Sequence, residues 1–232
     1  MDRIFLTLIV LVLGAIVATL AINMRRAAQA RSGTRAAFLD ICRSLLDRPR
    51  TQIAATGYAR LAGKYAGLEA DIQVVPDTLT FRKLPALWVL VTLPGPLPVG
   101  ATVDLMIRPT GVEPFSRFQT LNTQLDVPDG FPEDCAIRTD CQADMPSEAL
   151  VRAHLHLFDD PMVKELVISP KGVRLVFLAE EAQRSRYLIY RDCEMGQTPL
   201  PAERLAPKLD ALLALRADVL DEGAPQLQSK SA

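Results

Sequence analysis

The sequence predicts an α+β fold: a single N-terminal transmembrane helix, then a mainly antiparallel β-sheet domain with helices packed on one face. Three observations predict it. Ile4–Met24 is an uncharged run of 21 residues, about 30 Å long as a helix, which matches the hydrocarbon thickness of a bilayer. From Tyr58 onward the apolar pattern shifts to short runs and alternations separated by Gly, Pro, Asn and Asp, the pattern of consecutive antiparallel strands. Two later segments, near 148–158 and 201–220, return to helical spacing.

The anchor is apolar on every side. Thr7 and Thr19 can bond back to helix carbonyls, and Gly14 is tolerated inside a membrane. A cleaved signal peptide is the competing reading. Its apolar core is normally shorter, and the small-x-small sites here, Thr19-Leu20-Ala21 and Ala28-Gln29-Ala30, lie inside the run or beyond Arg25-Arg26. Arg25, Arg26, Arg31 and Arg35 come directly after the run. They are the lipid-proximal residues of this reading, and the positive-inside rule puts the domain on their C-terminal side in the cytoplasm. The expected location is therefore the cell's inner membrane, single-pass, with an extracytoplasmic domain as the alternative.

Charge is split along the chain. Residues 25–64 carry nine Arg/Lys against two acids, a net +7. Residues 65–232 carry sixteen basic and twenty-four acidic side chains, a net −8. A stem of that sign beside a bilayer is drawn to anionic headgroups, at about 1 kcal/mol per basic residue near the surface. Arginine outnumbers lysine 20 to 6 and alanine is abundant, a bias typical of GC-rich bacterial genomes. The expected organisation is an anchor at 1–24, a basic amphipathic helical stem at 25–56, an α+β domain at 57–221 and a disordered tail at 222–232.

Within the stem, Gly33 is expected to interrupt the first helix and Thr34 to cap a second, about Arg35–Arg48, which Pro49 stops. Tyr58–Tyr65 and Leu68–Val75 read as a hairpin around Ala66-Gly67. Leu87–Leu93 is a strand buried on both faces, and Pro94–Gly100 is a loop. In Ala101–Arg108, Val103, Leu105 and Ile107 point inward and Asp104, Met106 and Arg108 outward. Phe118–Val127 reads as a strand ending in the Pro128-Asp129-Gly130 turn. Ser147 caps a helix over Glu148–Phe158. Val163–Ile168, Gly172–Ala179 and Arg186–Asp192 read as three successive strands. The last helix, about Pro201–Leu220, carries Leu205, Leu209, Leu212, Leu213 and Val219 on one stripe and ends at Gly223 and Pro225.

No catalytic signature emerges. Gly57–Tyr65 has the wrong spacing for a phosphate loop, and Tyr65 stands where that loop needs Ser or Thr. Nucleophile-elbow, zincin and dinucleotide motifs are absent. Cys135, Cys141, His154 and His156 form the one set that could hold a soft metal. Their spacing matches no standard zinc module, and on a helix the two histidines diverge by about 200°. In an oxidising compartment Cys135 and Cys141 could instead form a disulfide. Cys42 and Cys193 read as small buried apolar residues. The acids Asp126, Asp129, Glu133, Asp134, Asp140 and Asp144 read as a solvated loop, and Trp88 as core. No cofactor and no nucleic-acid partner is expected. The expected partners are the lipid bilayer and a protein or a second copy of the chain. These features suit a membrane-tethered, non-catalytic interaction or assembly module. A membrane-anchored hydrolase or metal-dependent enzyme is the alternative, and a small-molecule or lipid sensor the third.

Overall fold

The most apolar strand becomes a centre of the sheet. The computed structural model describes residues 2–78, 84–190 and 195–229; Cys193 and residues 230–232 lie outside them. Its Ala86–Pro94 strand pairs with neighbours on both sides, as a run that is apolar on both faces requires. The strands are β1 (Asp47–Ile53), β2 (Ala59–Tyr65), β3 (Leu68–Asp77), β4 (Ala86–Pro94), β5 (Val103–Ile107), β6 (Thr123–Leu125), β7 (Cys135–Thr139), β8 (Val163–Ser169) and β9 (Gly172–Glu181). They form one nine-stranded sheet in the order β1-β2-β3-β4-β9-β8-β5-β7-β6, antiparallel at every pairing. The β8–β9 hairpin thus sits between β4 and β5 and joins two antiparallel groups. The α+β class holds, with a large antiparallel sheet and helices.

Helix α1 (Asp2–Ala36) is continuous. It is the one helix among the described residues long and apolar enough to cross a membrane by length and composition. Its large apolar side chains are exposed among those described: Phe5, Leu11 and Val17 are 67%, 66% and 60% exposed. Gly33 does not interrupt it, and Thr34 is not a cap, because its hydroxyl donates back to Arg31 O (3.0 Å). The expected helix over Arg35–Arg48 is absent. Ile41–Leu45 forms 3-10 turns instead, whose tighter winding still buries Phe38, Leu39, Cys42 and Leu46. Pro49 falls inside β1 rather than ending a helix. That position is tolerated because β1 is an edge strand, and the register shifts between Asp47 and Arg50. The second half of the expected stem, 38–53, therefore contributes to core and sheet.

The hairpin β2–β3 forms as read. Ala66 (φ 48°) and Gly67 (φ 84°) both adopt the left-handed conformation that a tight two-residue hairpin turn demands. The β8–β9 turn also forms, with Ser169 Oγ donating to Gly172 O (3.0 Å) and accepting from Lys171 N (3.3 Å). Four expectations fail. Phe118–Val127 is a 3-10 turn and then the short β6. Arg186–Asp192 is not a strand: Arg184–Tyr190 is helix α3, and Asp192 lies outside the described residues. Helix α2 (Glu148–Ala153) is capped by Ser147 Oγ, which accepts from Leu150 N (3.2 Å), but it gives way to 3-10 turns over Leu155–Asp159. Helix α4 (Ala202–Ser229) runs past Gly223 and Pro225, so 222–229 is helical rather than a disordered tail. Proline removes one helix hydrogen bond without forcing termination.

Two apolar clusters flank the sheet. The larger gathers Val89, Val91, Leu105, Leu166, Leu175 and Phe177 with Leu150 and Val151 of α2 and Leu205, Leu209, Leu212, Leu215 and Val219 of α4. Arg204 fastens α4 to β9, donating to Leu178 O and Ala179 O (both 2.9 Å). The smaller cluster, Leu90, Met106, Phe115, Phe118 and Val176, lies on the opposite face. There the segment 109–121 covers β5, so Asp104 and Met106 are buried and not outward as expected.

Candidate functional site

Register builds a polar row on this second face. Thr92 pairs with Arg174, Arg174 with Val167, Val167 with Asp104, Asp104 with Arg138 and Arg138 with Gln124. Two residues along each strand, Val176, Glu165, Met106 and Ala136 form the next row on this face. Asp104 and Glu165 are therefore diagonal neighbours, close enough for their charges to interact. Glu165 reaches this face through a bulge. The β8 register shifts between Val163 and Glu165, so one residue, Lys164, is extra. Val163 consequently packs in the larger cluster while Glu165, two residues on, faces the other side. Re-aiming a side chain is what a bulge does.

The two carboxyls line a cleft of about 480 Å³. Arg174 and the Ser169–Gly172 turn form one wall, and Arg117, Thr120 and Leu121 another. Asp104 is 3% exposed and Glu165 0%. Asp104 Oδ1 and both Glu165 carboxyl oxygens are buried without a hydrogen-bond partner. Leaving such a group unmatched costs about 1–3 kcal/mol. The nearby cations are turned elsewhere. Arg138 donates to Leu121 O and Gln124 Oε1 (both 3.2 Å) and stands over Phe118. Arg174 Nε donates to Thr92 Oγ1 (3.3 Å). Lys164 Nζ donates to Ile107 O (2.7 Å) and lies 3.5 Å from Glu113.

Burial raises the Asp104 carboxyl well above its ordinary range, the Glu165 charge raises it further, and Arg174 offsets part of this. Burial also raises Glu165, against the Ser116 hydroxyl, Arg174 and Asp104. Ser116 Oγ accepts from Phe118 N (2.9 Å), and a proton shared between Asp104 and Glu165 raises the first and lowers the second. The pair retains a proton at neutral pH.

The sequence-selected residues lie elsewhere. Cys135 begins β7 and Cys141 lies beyond its end, so roughly 13 Å of strand already separates Cys135 from Thr139. Both are free thiols, as is Cys42. Burial, then the Asp134 and Asp104 charges, push Cys135 up to about 12, which makes it an inert thiol. Cys141 Sγ donates to Asp144 Oδ2 (3.2 Å). His154 Nε2 lies 2.8 Å from Asp218 Oδ2, and His156 Nδ1 lies 3.1 Å from Ala153 O. The two rings are 6.0 Å apart between centroids. Among the described residues, no three His, Cys, Asp or Glu side chains gather as a metal site.

Arg25, Arg26 and Arg31 project from α1 into solvent, whereas Arg35 stands 5.5 Å over the Tyr58 ring at the domain's end. Asp140, from the acidic loop, accepts from Thr102 N (2.8 Å) and borders the cleft. Trp88 is half-buried beside Phe115, with ring centroids 4.8 Å apart. A second hollow, of about 360 Å³, is bordered by Asp144 and Glu222; both already accept hydrogen bonds, from Cys141 and from Ser147 N. Sequence reasoning missed Asp104 and Glu165. The alternation of β5 did put Asp104 on the second face, but nothing local signals the covering segment or the bulge. No protein-family model matches the chain, and comparison with characterised proteins gives no significant match.

Proposed function

We propose that this chain is a single-pass, membrane-tethered, non-catalytic interaction module of the inner membrane. In this reading α1 crosses the bilayer at about Ile4–Met24 and the acidic domain faces the cytoplasm. The observation that carries it is the exposure of α1's apolar side chains beside a domain whose own core is closed. Each large apolar side chain moved into lipid stabilises the inserted state by about 1.5–3 kcal/mol. The helix passes unbroken through Ala28-Gln29-Ala30, so no extended segment is offered to a signal peptidase there. From Met24 to Arg35 the same helix makes a rigid spacer of about 17 Å.

Arg25, Arg26 and Arg31 lie along that spacer, within reach of anionic headgroups. The charge of −8 over residues 65–232 suits a basic protein partner, with electrostatics mainly speeding encounter. Cross-linking of the full chain in native membranes tests this. A stoichiometric adduct that weakens as salt is raised is expected. A lone monomer at every salt concentration contradicts it.

A further inference from the structure

The cleft on the second face has a definite charge pattern. We propose that it holds a small zwitterion of amino-acid size, its ammonium between Asp104 and Glu165 and its acid group toward Arg174, Lys171 and Arg117. This is independent of the tether and holds whether or not α1 spans a bilayer.

Three observations carry it. First, the floor is rich in acceptors and short of donors: apart from the one proton the pair shares, nothing in the cleft donates to it among the described residues. Asp104 Oδ1 and both Glu165 oxygens are buried and unmatched, although Arg138 is the direct cross-strand neighbour of Asp104. The Arg138 Nε is itself buried without a partner, so the pairing that the register allows is not made. Arg138 instead turns away to Leu121 and Gln124, and the bulge at Lys164 turns Glu165 toward the cleft. Second, the missing donors are several and close together. A primary ammonium supplies three N–H groups at one point, whereas a hydroxyl supplies one. No three His, Cys, Asp or Glu side chains gather here as a metal site among the described residues, and magnesium and calcium are the cation occupants the test sets against the ammonium. Third, the sign of charge reverses from floor to mouth. Lys171 and Arg117 are exposed at the rim with the single acid Asp140, and Arg174 is half-buried between rim and floor. A ligand with an ammonium at one end and a carboxylate at the other matches both. The volume of about 480 Å³ lies in the range of small-molecule sites.

The test is calorimetric titration of the full chain in detergent with the twenty protein L-amino acids and glycylglycine. Ethylamine and propionate serve as the single-charge fragments, and magnesium and calcium chloride as the cation arm. At least one zwitterion is expected to bind, ten-fold or more tighter than either fragment. Asp104→Asn with Glu165→Gln preserves side-chain shape and is expected to lower that affinity at least ten-fold. Lys171→Ser, at an exposed turn position that leaves the fold intact, is expected to narrow the preference for the zwitterion over ethylamine. No heat from any zwitterion with folded protein overturns the proposal. So does equal binding of zwitterion and ethylamine, binding of magnesium or calcium alone, or affinity unchanged in the folded double variant.

Discussion

Asp104 carries a large electrostatic penalty, and its sign is testable. Its folded carboxyl is raised above the ordinary value of 3.8, so the folded state holds the proton more tightly than the unfolded chain. The stability this confers is fully present below about pH 4 and is lost as pH rises toward the raised value. The Glu165 charge adds to the loss, while Arg174 limits it. Asp104→Asn removes a carboxyl that must either take up a proton on folding or be buried as a charge as pH rises. Thermal melts of the full chain in detergent should therefore show the variant gaining on the wild type as pH rises, by up to about 1.4 kcal/mol per pH unit between the ordinary and raised values, with little difference at pH 4. A wild type more stable than the variant at pH 8 would mean that the carboxylate is paired.

Gly172 gives a second prediction at this scale. Its φ is 133°, and an added Cβ would meet the Leu93 carbonyl oxygen and lie 3.0 Å from Pro94 Cα. Gly172→Ala combines a disfavoured backbone with a backbone clash and should cost about 2 kcal/mol or more, read as a lower urea midpoint.

At the scale of elements, α4 supplies much of the first-face core. Leu209 is fully buried there, and Leu209→Ala should cost about 2–5 kcal/mol in denaturant unfolding. Ser147→Ala, which removes the α2 cap bond, should cost about 1 kcal/mol. A fully buried stripe is a local property of a helix, which is why α4 is legible in its leucines. The β2–β3 and β8–β9 hairpins are legible for the same reason: alternation and turn chemistry lie within about twenty residues.

The misread elements turn on distant partners. Phe38, Leu39 and Cys42 have helical spacing, yet the segment is held by Leu200 across the fold: Leu200 N donates to Phe38 O (2.8 Å) and Cys42 Sγ to Leu200 O (3.3 Å). Those contacts suit 3-10 turns and leave Pro49 free to enter an edge strand. The short β7 owes its place to β5 and β6 and has no turn signature of its own. The carboxyl pair is harder still to read. It depends on the β5–β8 register, on a bulge and on a covering segment from 109–121, and its residues are 61 positions apart. Cysteines and histidines attract attention by type, but here type is a poor guide. Cys135 is core, and His154 is a buried ring on Asp218.

At the scale of the whole molecule, α1 is the element on which the proposed tether rests. The charges flanking this helix also predict its direction. Replacing Arg25, Arg26 and Arg31 with Glu removes most of the positive flank and should shift a C-terminal reporter from the cytoplasmic to the extracytoplasmic side in part or all of the population. An unchanged cytoplasmic signal would mean that other features set the orientation. Retention of α1 in the bilayer is tested most simply by alkaline carbonate extraction of membranes from cells producing the full chain, with intact mass determined on the recovered protein. A retained anchor keeps the protein in the membrane pellet at its full 25.4 kDa. Release into the supernatant, or a mass lacking the first twenty to thirty residues, is incompatible with a membrane-tethered module.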